Sequence, residues 1–436
     1  MVTVALSSWG RLRIAEHEVV PLRRRIEAAR TLRSSKLPGI AFGNGRCYGD
    51  ECLNAGHTVW TTRGLDRFIA FDPERGIVHC ESGVLLSEIT RLALPAGWFL
   101  PVTPGTAFVT IGGAVANDVH GKNHHRCGTL GEHVAFVRLA RTDGSVIDCT
   151  PQVNSDWLAA TIGGMGLTGI ITEVAIRLRR VSGPWIDTLT QPFDTLDEFF
   201  ELTPRHASDW EHTVAWIDCT RSTRKDTRGV FFCGNHSDAT KPLPPSRARS
   251  AALLPSWRWV NGTSTALLNS LYFASCKQRR GLGRQDYGSF FYPLDRVLEW
   301  NRIYGRAGFF QYQCVIPAAT QADGTRELLR LIAESRMGSF LSVLKTFTLR
   351  PSAGLMSFPM AGTTVALDFP NAGPGTLRLF DRLNAVVSDT GGRLYPAKDA
   401  VMPAELFRKG FPRLNEFLAY RDPGISSEMS RRLLDI

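Results

Sequence analysis

The chain has 436 residues, of which 43% are hydrophobic and 21% are charged, and its formal net charge is +10. A chain of this length and composition is typical of a globular protein with two or three domains. No run of residues reaches the roughly 18 apolar positions that a membrane span requires. The polar N-terminus and nine cysteines without paired spacing predict a cytoplasmic protein with no signal peptide, no transmembrane helix and no disulfide framework.

The first candidate site is a glycine cluster in "AFGNGRCYGDECLN", residues 41–54. Gly43, Gly45 and Gly49 permit positive φ and let backbone amides converge on an anion, as in a phosphate-binding nest. Downstream, "IVHCESG" predicts a strand. "VLLSEITRLALPAG" then predicts a helix, which a proline and a glycine end.

The least ordinary stretch is "IGGAVANDVHGKNHH", residues 111–125, which follows another glycine-containing turn at residues 104–106. Its composition leaves three interpretations open: a metal site, a catalytic histidine, or a loop folded around a cofactor. The metal interpretation is the weakest, because no Cys, Asp or Glu cluster with ligand spacing accompanies His120, His124 and His125.

Two further features precede residue 184. "HVAFVRLARTDGSVIDCT" predicts a hairpin that turns at Asp143-Gly144. "GMGLTG", residues 164–169, matches G-x-G-x-x-G, but helix-like residues precede it and the strand "IITEVAIRLR" follows it. Because a dinucleotide-binding turn needs the opposite order, with the diphosphate at a helix N-terminus, we reject a Rossmann fold.

From about residue 184 the segments become longer and more aromatic. Strand-like segments such as "HTVAWIDC", "GVFFCG", "FFQYQCVIP" and "TTVALDFP" alternate with helix-like ones such as "TRELLRLIAESR". This pattern predicts an α+β domain with an antiparallel sheet. The tail, "SSEMSRRLLDI", is helix-like.

The segment from Lys241 to Arg284 is basic, with eight Lys or Arg residues and no Asp or Glu. One interpretation is a solvated loop. The other is a loop that meets an anionic membrane surface at the inner face of the membrane, with apolar anchors at Leu253, Leu254, Trp257 and Trp259. Nothing in the sequence is typical of a nucleic-acid-binding module, so no nucleic-acid partner is expected.

Three glycine clusters in one half of the chain favour a long ligand with a diphosphate, and FAD fits this description. Together with "HGKNHH", "GFFQYQ" and "GGRLYPAKD", these clusters resemble the vanillyl-alcohol-oxidase/p-cresol-methylhydroxylase family of FAD-linked oxidases, and within it the branch that oxidises polyprenyl-phosphoryl ribose. The resemblance runs through nearly the whole chain. It implies a two-domain α+β fold with an FAD-binding domain at 1–183 and 393–436, and an inserted substrate-binding domain at 184–392. The basic segment, at about 234–284, falls within the inserted domain, and its composition leaves open whether it is ordered or disordered.

The resemblance also implies how FAD is held. Several relatives bond FAD covalently through a histidine of the first loop, and Arg46 stands at the matching position, so non-covalent FAD is expected. The implied contacts are Ala41, Gly43, Asn44, Gly45, Arg46, Cys47, Tyr48, Gly49, Asp50, Gly105, Thr110, Ile111, Gly112, Gly113, Asn117, Val119, His120, Ile171 and Tyr395.

The implied reaction is the oxidation of a secondary alcohol, which passes a hydride to the flavin and the hydroxyl proton to a base such as His, Lys or Tyr. Lysines also suit a substrate phosphate, and glutamines suit sugar hydroxyls. The catalytic residues implied are Lys398, His120 and Tyr48, of which Lys398 and His120 are expected nearest the reaction. The implied substrate contacts are Lys122, Trp216, Gln311, Gln313, Lys345, Thr364 and Ala366.

Packing alternatives stay open for four of these residues. Tyr48 and Tyr395 are equally compatible with packing aromatics, and Trp216 lies in an apolar strand that suits the core. Lys345 lies within "FLSVLKTFTL" and must either face the surface or be paired in a pocket, because burial of an unpaired charge is costly.

The resulting hypothesis is an FAD-dependent oxidase of the 2′-hydroxyl of a lipid-linked polyprenyl-phosphoryl-β-D-ribose. A partner short-chain reductase would complete epimerisation of the 2-keto intermediate to arabinose. Ala366 and Thr364 replace a cysteine and an asparagine of that branch, so the exact sugar stays open. The alternative is the same chemistry on a soluble sugar, alditol, aldonolactone or nucleoside, and a remote alternative is a non-flavin metal-binding protein.

Overall fold

The computed structural model describes residues 2–221, 227–243, 249–250, 262–339 and 341–435. The anchors expected at Leu253, Leu254, Trp257 and Trp259 lie outside the described residues. Within the described ranges, no helix combines the length and the apolar character that crossing a membrane requires.

The first half of the chain forms two sheets and a short strand pair. The first sheet contains β1 (Val2–Leu6), β2 (Ala15–Pro21), β3 (Gly39–Phe42) and β4 (Thr58–Thr61), in the spatial order β1-β2-β4-β3. The second sheet is antiparallel throughout and contains β5 (Phe68–Asp72), β6 (Ile77–Glu81), β8 (Val134–Ala140), β9 (Val146–Cys149) and β10 (Ile170–Arg177), in the order β5-β6-β10-β8-β9. β7 (Trp98–Phe99) pairs with β11 (Arg179–Arg180).

The second half is organised by one large antiparallel sheet of eight strands. Its members are β12 (Trp185–Phe193), β13 (His212–Ile217), β14 (Gly229–His236), β16 (Gly281–Asp286), β18 (Phe309–Pro317), β19 (Ser342–Phe347), β20 (Gly362–Pro370) and β21 (Arg393–Leu394), in the order β16-β12-β14-β13-β19-β20-β18-β21. The short strands β15 (Arg249–Ser250) and β17 (Val297–Leu298) pair in parallel.

The helices lie between and beside these sheets. Those before residue 210 are α1 (Ala28–Arg33), α2 (Leu86–Ala93), α3 (Ile111–Ala116), α4 (His124–Cys127), α5 (Ser155–Thr161) and α6 (Leu196–Ala207). The later ones are α7 (Gly262–Gln278), α8 (Tyr287–Phe291), α9 (Gln321–Ser335), α10 (Pro374–Asp389), α11 (Ala404–Gly410), α12 (Leu414–Leu418) and α13 (Glu428–Leu434).

Local sequence signals explain several of these elements. The hairpin predicted at Asp143-Gly144 is confirmed, with β8 and β9 on either side of a glycine at φ +91°. The "GMGLTG" segment follows α5 and precedes β10, so its rejection as a dinucleotide-binding turn is confirmed. The α+β character with an antiparallel sheet is also confirmed. α9 begins at Gln321, four residues before the helix-like segment that the sequence indicates.

The domain boundaries stay a prediction. β12 begins at Trp185, close to the expected boundary at 183/184. At the other boundary, β21 pairs with β18 through Cys314 and Leu394. The first residues of the expected C-terminal FAD-binding segment therefore extend the large sheet, because their backbone completes its edge.

The C-terminal segment packs against the first glycine loop and the first sheet. The N–H of Gly39 donates to the carbonyl of Gly424, and the N–H of Ser426 donates back to Gly39, at 3.1 and 3.0 Å. Arg432 donates two hydrogen bonds of 2.9 Å to the Asp50 carboxylate and one of 2.8 Å to Asp399. These contacts tie the last helix to the loop that begins the predicted FAD site.

We expect Arg432→Met to lower the free energy of unfolding by about 3 kcal/mol, because it leaves two largely buried carboxylates without their cation. The matched control is Arg413→Met, which removes an ion pair with Glu416 whose two side chains are about half exposed. The control change should cost less than about 1 kcal/mol. Urea denaturation followed by circular dichroism measures both, and equal losses would contradict a structural role for the Arg432 ion pairs.

Candidate active site

A cavity of about 520 Å³ lies between the glycine loops of the first half and one face of the eight-stranded sheet. Segments that are far apart in the chain therefore meet in one place. Of the residues that the sequence predicted, the cavity is lined by Ala41, Gly43, Asn44, Gly45, Arg46, Cys47, Tyr48, Gly105, Thr110, Gly112, Gly113, Asn117, Val119, His120, Lys122, Ile171, Trp216, Gln311, Gln313, Lys345, Ala366, Tyr395 and Lys398.

Four predicted residues lie behind this lining. Gly49 packs against the backbone of residue 399, where a Cβ would come within 1.7 Å of the carbonyl oxygen. The Asp50 carboxylate is turned away, towards Arg432. Ile111 is fully buried in the core, and Thr364 reaches the cavity only through its hydrogen bond with Gln313. These four residues support the walls of the cavity and do not face it.

The first glycine loop lines the cavity and carries backbone donors that are not used within the described residues. Within the described part of the chain, the N–H groups of residues 43–47 have no hydrogen-bond acceptor. Gly43 lies so close to α3 that a Cβ would come within 2.5 Å of the Thr110 hydroxyl, which itself accepts a hydrogen bond from the N–H of Gly113. Converging amides of this kind bind anionic oxygens, such as those of a diphosphate.

Polar atoms in the same wall are buried without a partner among the described residues. They include the Ser82 hydroxyl and the side-chain carbonyl oxygen of Asn117, and both residues line the cavity. Gly105, by contrast, would place a Cβ in open space. Free amides, unsatisfied polar atoms and flat glycine surfaces fit FAD, which brings a diphosphate and a planar ring with polar edges.

One side of the reaction space is a row of residues across four strands of the large sheet. Trp216 pairs with Val343, Val343 with Ala366, and Ala366 with Gln313. Because directly paired residues point to the same face, this register places all four side chains on the cavity side. Gln311 lies two residues before Gln313 on the same strand, so its side chain shares that face.

His120 is the centre of a buried hydrogen-bond network. Its Nδ1 lies 3.0 Å from the ammonium nitrogen of Lys345, and its Nε2 lies 3.1 Å from the side-chain amide of Gln313. A charged lysine can only donate, so Nδ1 accepts and the proton of a neutral imidazole is on Nε2. That proton needs an acceptor, which Gln313 supplies when its amide oxygen faces the ring.

Burial and neighbouring cations disfavour the protonated, charged forms of the groups in this network. Burial, reinforced by Lys345, holds the pKa of His120 well below its usual value. Burial together with Lys122 and Lys398 lowers the pKa of Lys345 to about 7. Of the two alternatives for Lys345, the pocket is correct: the side chain is half-buried in the cavity and bonded to His120, and it is half protonated near neutral pH.

Lys398 and Tyr48 face each other across the cavity wall. The Lys398 ammonium lies 4.0 Å from the centre of the Tyr48 ring, and burial lowers its pKa to about 8 although Asp368 opposes this. Asp368 accepts a hydrogen bond of 2.5 Å from Gln311, and burial raises its pKa to about 7. Tyr48 also packs edge-on against Phe309, so it serves both packing and the cavity.

Three further residues that the sequence predicted, Lys122, Trp216 and Tyr395, each make specific contacts in the cavity wall. Lys122 donates to the Phe290 carbonyl and lies over the Phe290 ring, and burial lowers its pKa to about 7. Trp216 packs against Tyr272 with ring centres 4.8 Å apart. The Tyr395 hydroxyl donates to the carbonyl of Asn117 at 2.8 Å, which fixes the loop that follows α3.

The three histidines of "HGKNHH" have separate surroundings. His120 belongs to the cavity, His124 packs on Phe347 with ring centres 4.5 Å apart, and His125 bonds the carbonyl of Trp210. Among the residues that the structure describes, no group of three or more His, Cys, Asp or Glu is placed to hold a metal ion.

Several lining residues were missed at the sequence level. Met165, Gly166 and Gly169 belong to the "GMGLTG" segment that was set aside, and they line the cavity as a turn beside α3. The available signal was the glycines themselves, and in the structure Gly166 and Gly169 adopt φ +73° and +151°. Glu51 also lines the cavity, and burial raises its pKa to about 7. Asp368 lies behind the lining, where it accepts a hydrogen bond from Gln311. Neither acid carries a local signal in the sequence, because the burial of both arises only from tertiary packing.

Comparison with known proteins agrees with this geometry. A family model described as an FAD binding domain matches residues 25–150. The chain is 34% identical over 412 residues to decaprenylphosphoryl-beta-D-ribose oxidase of Mycolicibacterium smegmatis, a match that covers 90% of this chain and 88% of that protein. A shorter match, 26% identical over 179 residues, covers 39% of this chain and 37% of D-lactate dehydrogenase of Anaerostipes hadrus. Another, 30% identical over 137 residues, covers 31% of this chain and 13% of D-2-hydroxyglutarate dehydrogenase of Escherichia coli. The chain therefore belongs to the FAD-linked oxidase family that includes decaprenylphosphoryl-beta-D-ribose oxidase, and it is an FAD-binding oxidoreductase that acts on CH–OH groups.

Proposed function

We propose that this protein oxidises the 2′-hydroxyl of a polyprenyl-phosphoryl-β-D-ribose to a ketone. The observation that carries the proposal is the buried His120–Lys345–Gln313 network, which faces the same cavity as the glycine loops that fit FAD. A secondary alcohol that enters this cavity meets groups able to accept its proton and to hold its hydroxyls. The similarity to decaprenylphosphoryl-beta-D-ribose oxidase supports a lipid-linked pentose as the substrate.

The protein's own contribution to the reaction is the handling of the proton. When bound, FAD supplies the acceptor for the hydride that leaves the alcohol carbon. The hydroxyl proton then needs a base, and the His120–Lys345 pair provides one when Lys345 is neutral. When Lys345 is neutral, its amine accepts a hydrogen bond from the Nδ1–H of His120, and Nε2 of the ring carries no proton. A proton received at Nε2 is then matched by transfer of the Nδ1 proton to the lysine amine, so the ring returns to its neutral form.

The other two cavity lysines suit the charge of the substrate. Lys122 and Lys398 line the same cavity as Lys345, and each has a pKa that burial lowers. A phosphodiester anion in the cavity would favour the protonated form of at least one of them. Three half-buried lysines with few facing carboxylates are costly in the free protein, and an anionic substrate relieves that cost.

The product of this step is a 2-keto sugar that remains on its lipid. We propose that a partner short-chain reductase then returns the ketone to an alcohol of the opposite configuration, which gives arabinose. Ala366 lines the cavity, and Thr364 bonds Gln313, so both substituted positions act at the sugar-binding wall.

The substrate proposal is tested by anaerobic bleaching of the bound flavin. We expect a short-chain polyprenyl-phosphoryl ribose in detergent to bleach the absorbance near 450 nm, because the cavity matches an anionic, lipid-linked pentose. Free ribose, alditols, aldonolactones and nucleosides are the comparison panel. Bleaching by one of these soluble compounds, with none by the phosphoryl ribose, would assign the protein to soluble substrates instead.

The role of Lys345 predicts a specific pH dependence. The neutral amine is the active form, so the bleaching rate should rise with pH up to the pKa of about 7 and then level off. Lys345→Met should be slower by roughly 10²-fold and should lose this rise. Lys409→Met, which alters an exposed lysine bonded to Ser388, should behave like the wild type. A wild-type rate that falls with rising pH through this range would rule out Lys345 as proton acceptor.

Non-covalent FAD is expected from the first glycine loop. Arg46 lies with its guanidinium carbon 3.9 Å from the centre of the Trp9 ring, and it has no nucleophilic atom to bond the flavin. Acid precipitation of the purified protein should therefore leave the yellow flavin in the supernatant. Colour and flavin fluorescence that stay with the washed pellet would show a covalent bond formed by another residue.

A further inference from the structure

The first part of helix α7 has a reversed polarity with respect to the protein interior. There the inward face buries Thr265 and Asn269, each 1% exposed, and only the later turns bury apolar side chains, at Phe273 and Cys276. Its outward face carries Leu267, Leu268 and Leu271, which are 61%, 53% and 59% exposed. A helix on the surface of a globular protein ordinarily shows the opposite arrangement, with leucines inward and polar residues towards water.

Buried hydrogen bonds fix this orientation. The Asn269 side chain donates to the Asp218 carboxylate at 3.0 Å and to the carbonyl of Ser339 at 3.2 Å. Arg228, which is also paired with Asp218, donates to the hydroxyl of Ser270 at 3.0 Å. Rotation of the helix to hide its leucines would break these bonds and leave buried polar groups unsatisfied, so the leucines stay outside.

The exposed leucines lie next to the cavity. Tyr272 is one turn from Leu268 on the helix, lines the cavity and packs on Trp216. Val297 and Leu298 of β17 also line the cavity and are 37% and 42% exposed. The outward face of α7 is thus connected through Tyr272 to an apolar rim of the cavity.

The charge around this face is basic. Lys277, Arg279 and Arg280 lie at the C-terminal end of α7 and are exposed. No Asp or Glu occurs in the sequence between Asp238 and Asp286. An apolar face flanked by cations matches an anionic lipid bilayer, whose interior takes up the leucines while its headgroups attract the basic side chains.

We propose that Leu267, Leu268 and Leu271 of α7, together with Lys277, Arg279 and Arg280, dock this protein onto an anionic lipid bilayer with the apolar rim of the cavity towards the membrane. This inference rests on the proposed lipid-linked substrate, which it provides with a route from the bilayer into the cavity. The sugar phosphate enters the cavity, while the polyprenyl chain passes the rim formed by Tyr272, Val297 and Leu298 and remains in the lipid.

The test is co-sedimentation of the FAD-loaded, full-length protein with vesicles that contain no substrate. Vesicles of phosphatidylglycerol and phosphatidylcholine should bind the wild type, and vesicles of phosphatidylcholine alone should bind it at least about tenfold more weakly. The double variant Leu267→Glu/Leu271→Glu should lose at least about tenfold of the binding to anionic vesicles. Leu349→Glu is the matched control, because Leu349 is an 89% exposed leucine outside α7 and should leave binding unchanged.

Equal vesicle binding by the wild type and the double variant would overturn the proposal, and so would an absence of binding to anionic vesicles. A wild-type dimer in light scattering that the double variant dissociates, without vesicle binding, would assign the leucines to contact between two copies instead. Bleaching by detergent-solubilised substrate is measured in parallel. Vesicle binding without bleaching would contradict only the proposed substrate, whereas bleaching without vesicle binding would contradict only the docking.

Discussion

The ion pairs of Arg432 are the constraint on which the arrangement of the site depends. One guanidinium holds Asp50, which follows the first glycine loop, and Asp399, which follows Lys398. The N–H of Tyr48 donates to the carbonyl of Ala397, and the absence of a side chain at Gly49 lets the two segments touch. Residues more than 340 positions apart are therefore held in one wall, with Lys398 over the ring of Tyr48. The glycine loop and Lys398 share a single support.

Burial without full charge compensation gives the cavity its chemical character. Lys122, Lys345 and Lys398 are enclosed in one space, and burial, with mutual repulsion at Lys345, keeps their pKa values near the physiological range. Asp368 and Glu51 are shifted in the opposite direction by the same burial. A site in which several acids and bases titrate near neutral pH is suited to proton transfer and to the uptake of an anion. The same surroundings would be unfavourable for a purely structural core.

The sequence predicted much of this site because its motifs are local. The glycines at 43, 45, 112 and 113, the residues of "HGKNHH" and the paired glutamines of β18 follow from turn geometry, strand alternation and family resemblance, and most of them line the cavity. Gly49, Asp50 and Ile111 neighbour the motif positions in sequence but pack against other parts of the protein. Thr364 shares the cavity face of its strand with Ala366, but it lies behind Gln313, to which it is hydrogen-bonded. The "GMGLTG" turn is not a dinucleotide-binding motif, because it follows a helix and precedes a strand. It nevertheless lines the cavity, as a turn beside α3.

Short segments of the sequence are enough to predict several strands and helices, the α+β class, the glycine loops and the family, because these depend on periodicity, turn chemistry and local motifs. Which charged groups face one another depends instead on the packing of distant segments. Two contacts join residues that no local pattern relates: Lys345 with His120, and Gln311 with Asp368. The outward orientation of the α7 leucines likewise depends on how the helix packs on the rest of the protein. Burial and charge pairing are properties of the packed chain, and they set the pKa values on which the chemistry depends. No stretch of sequence can specify them alone.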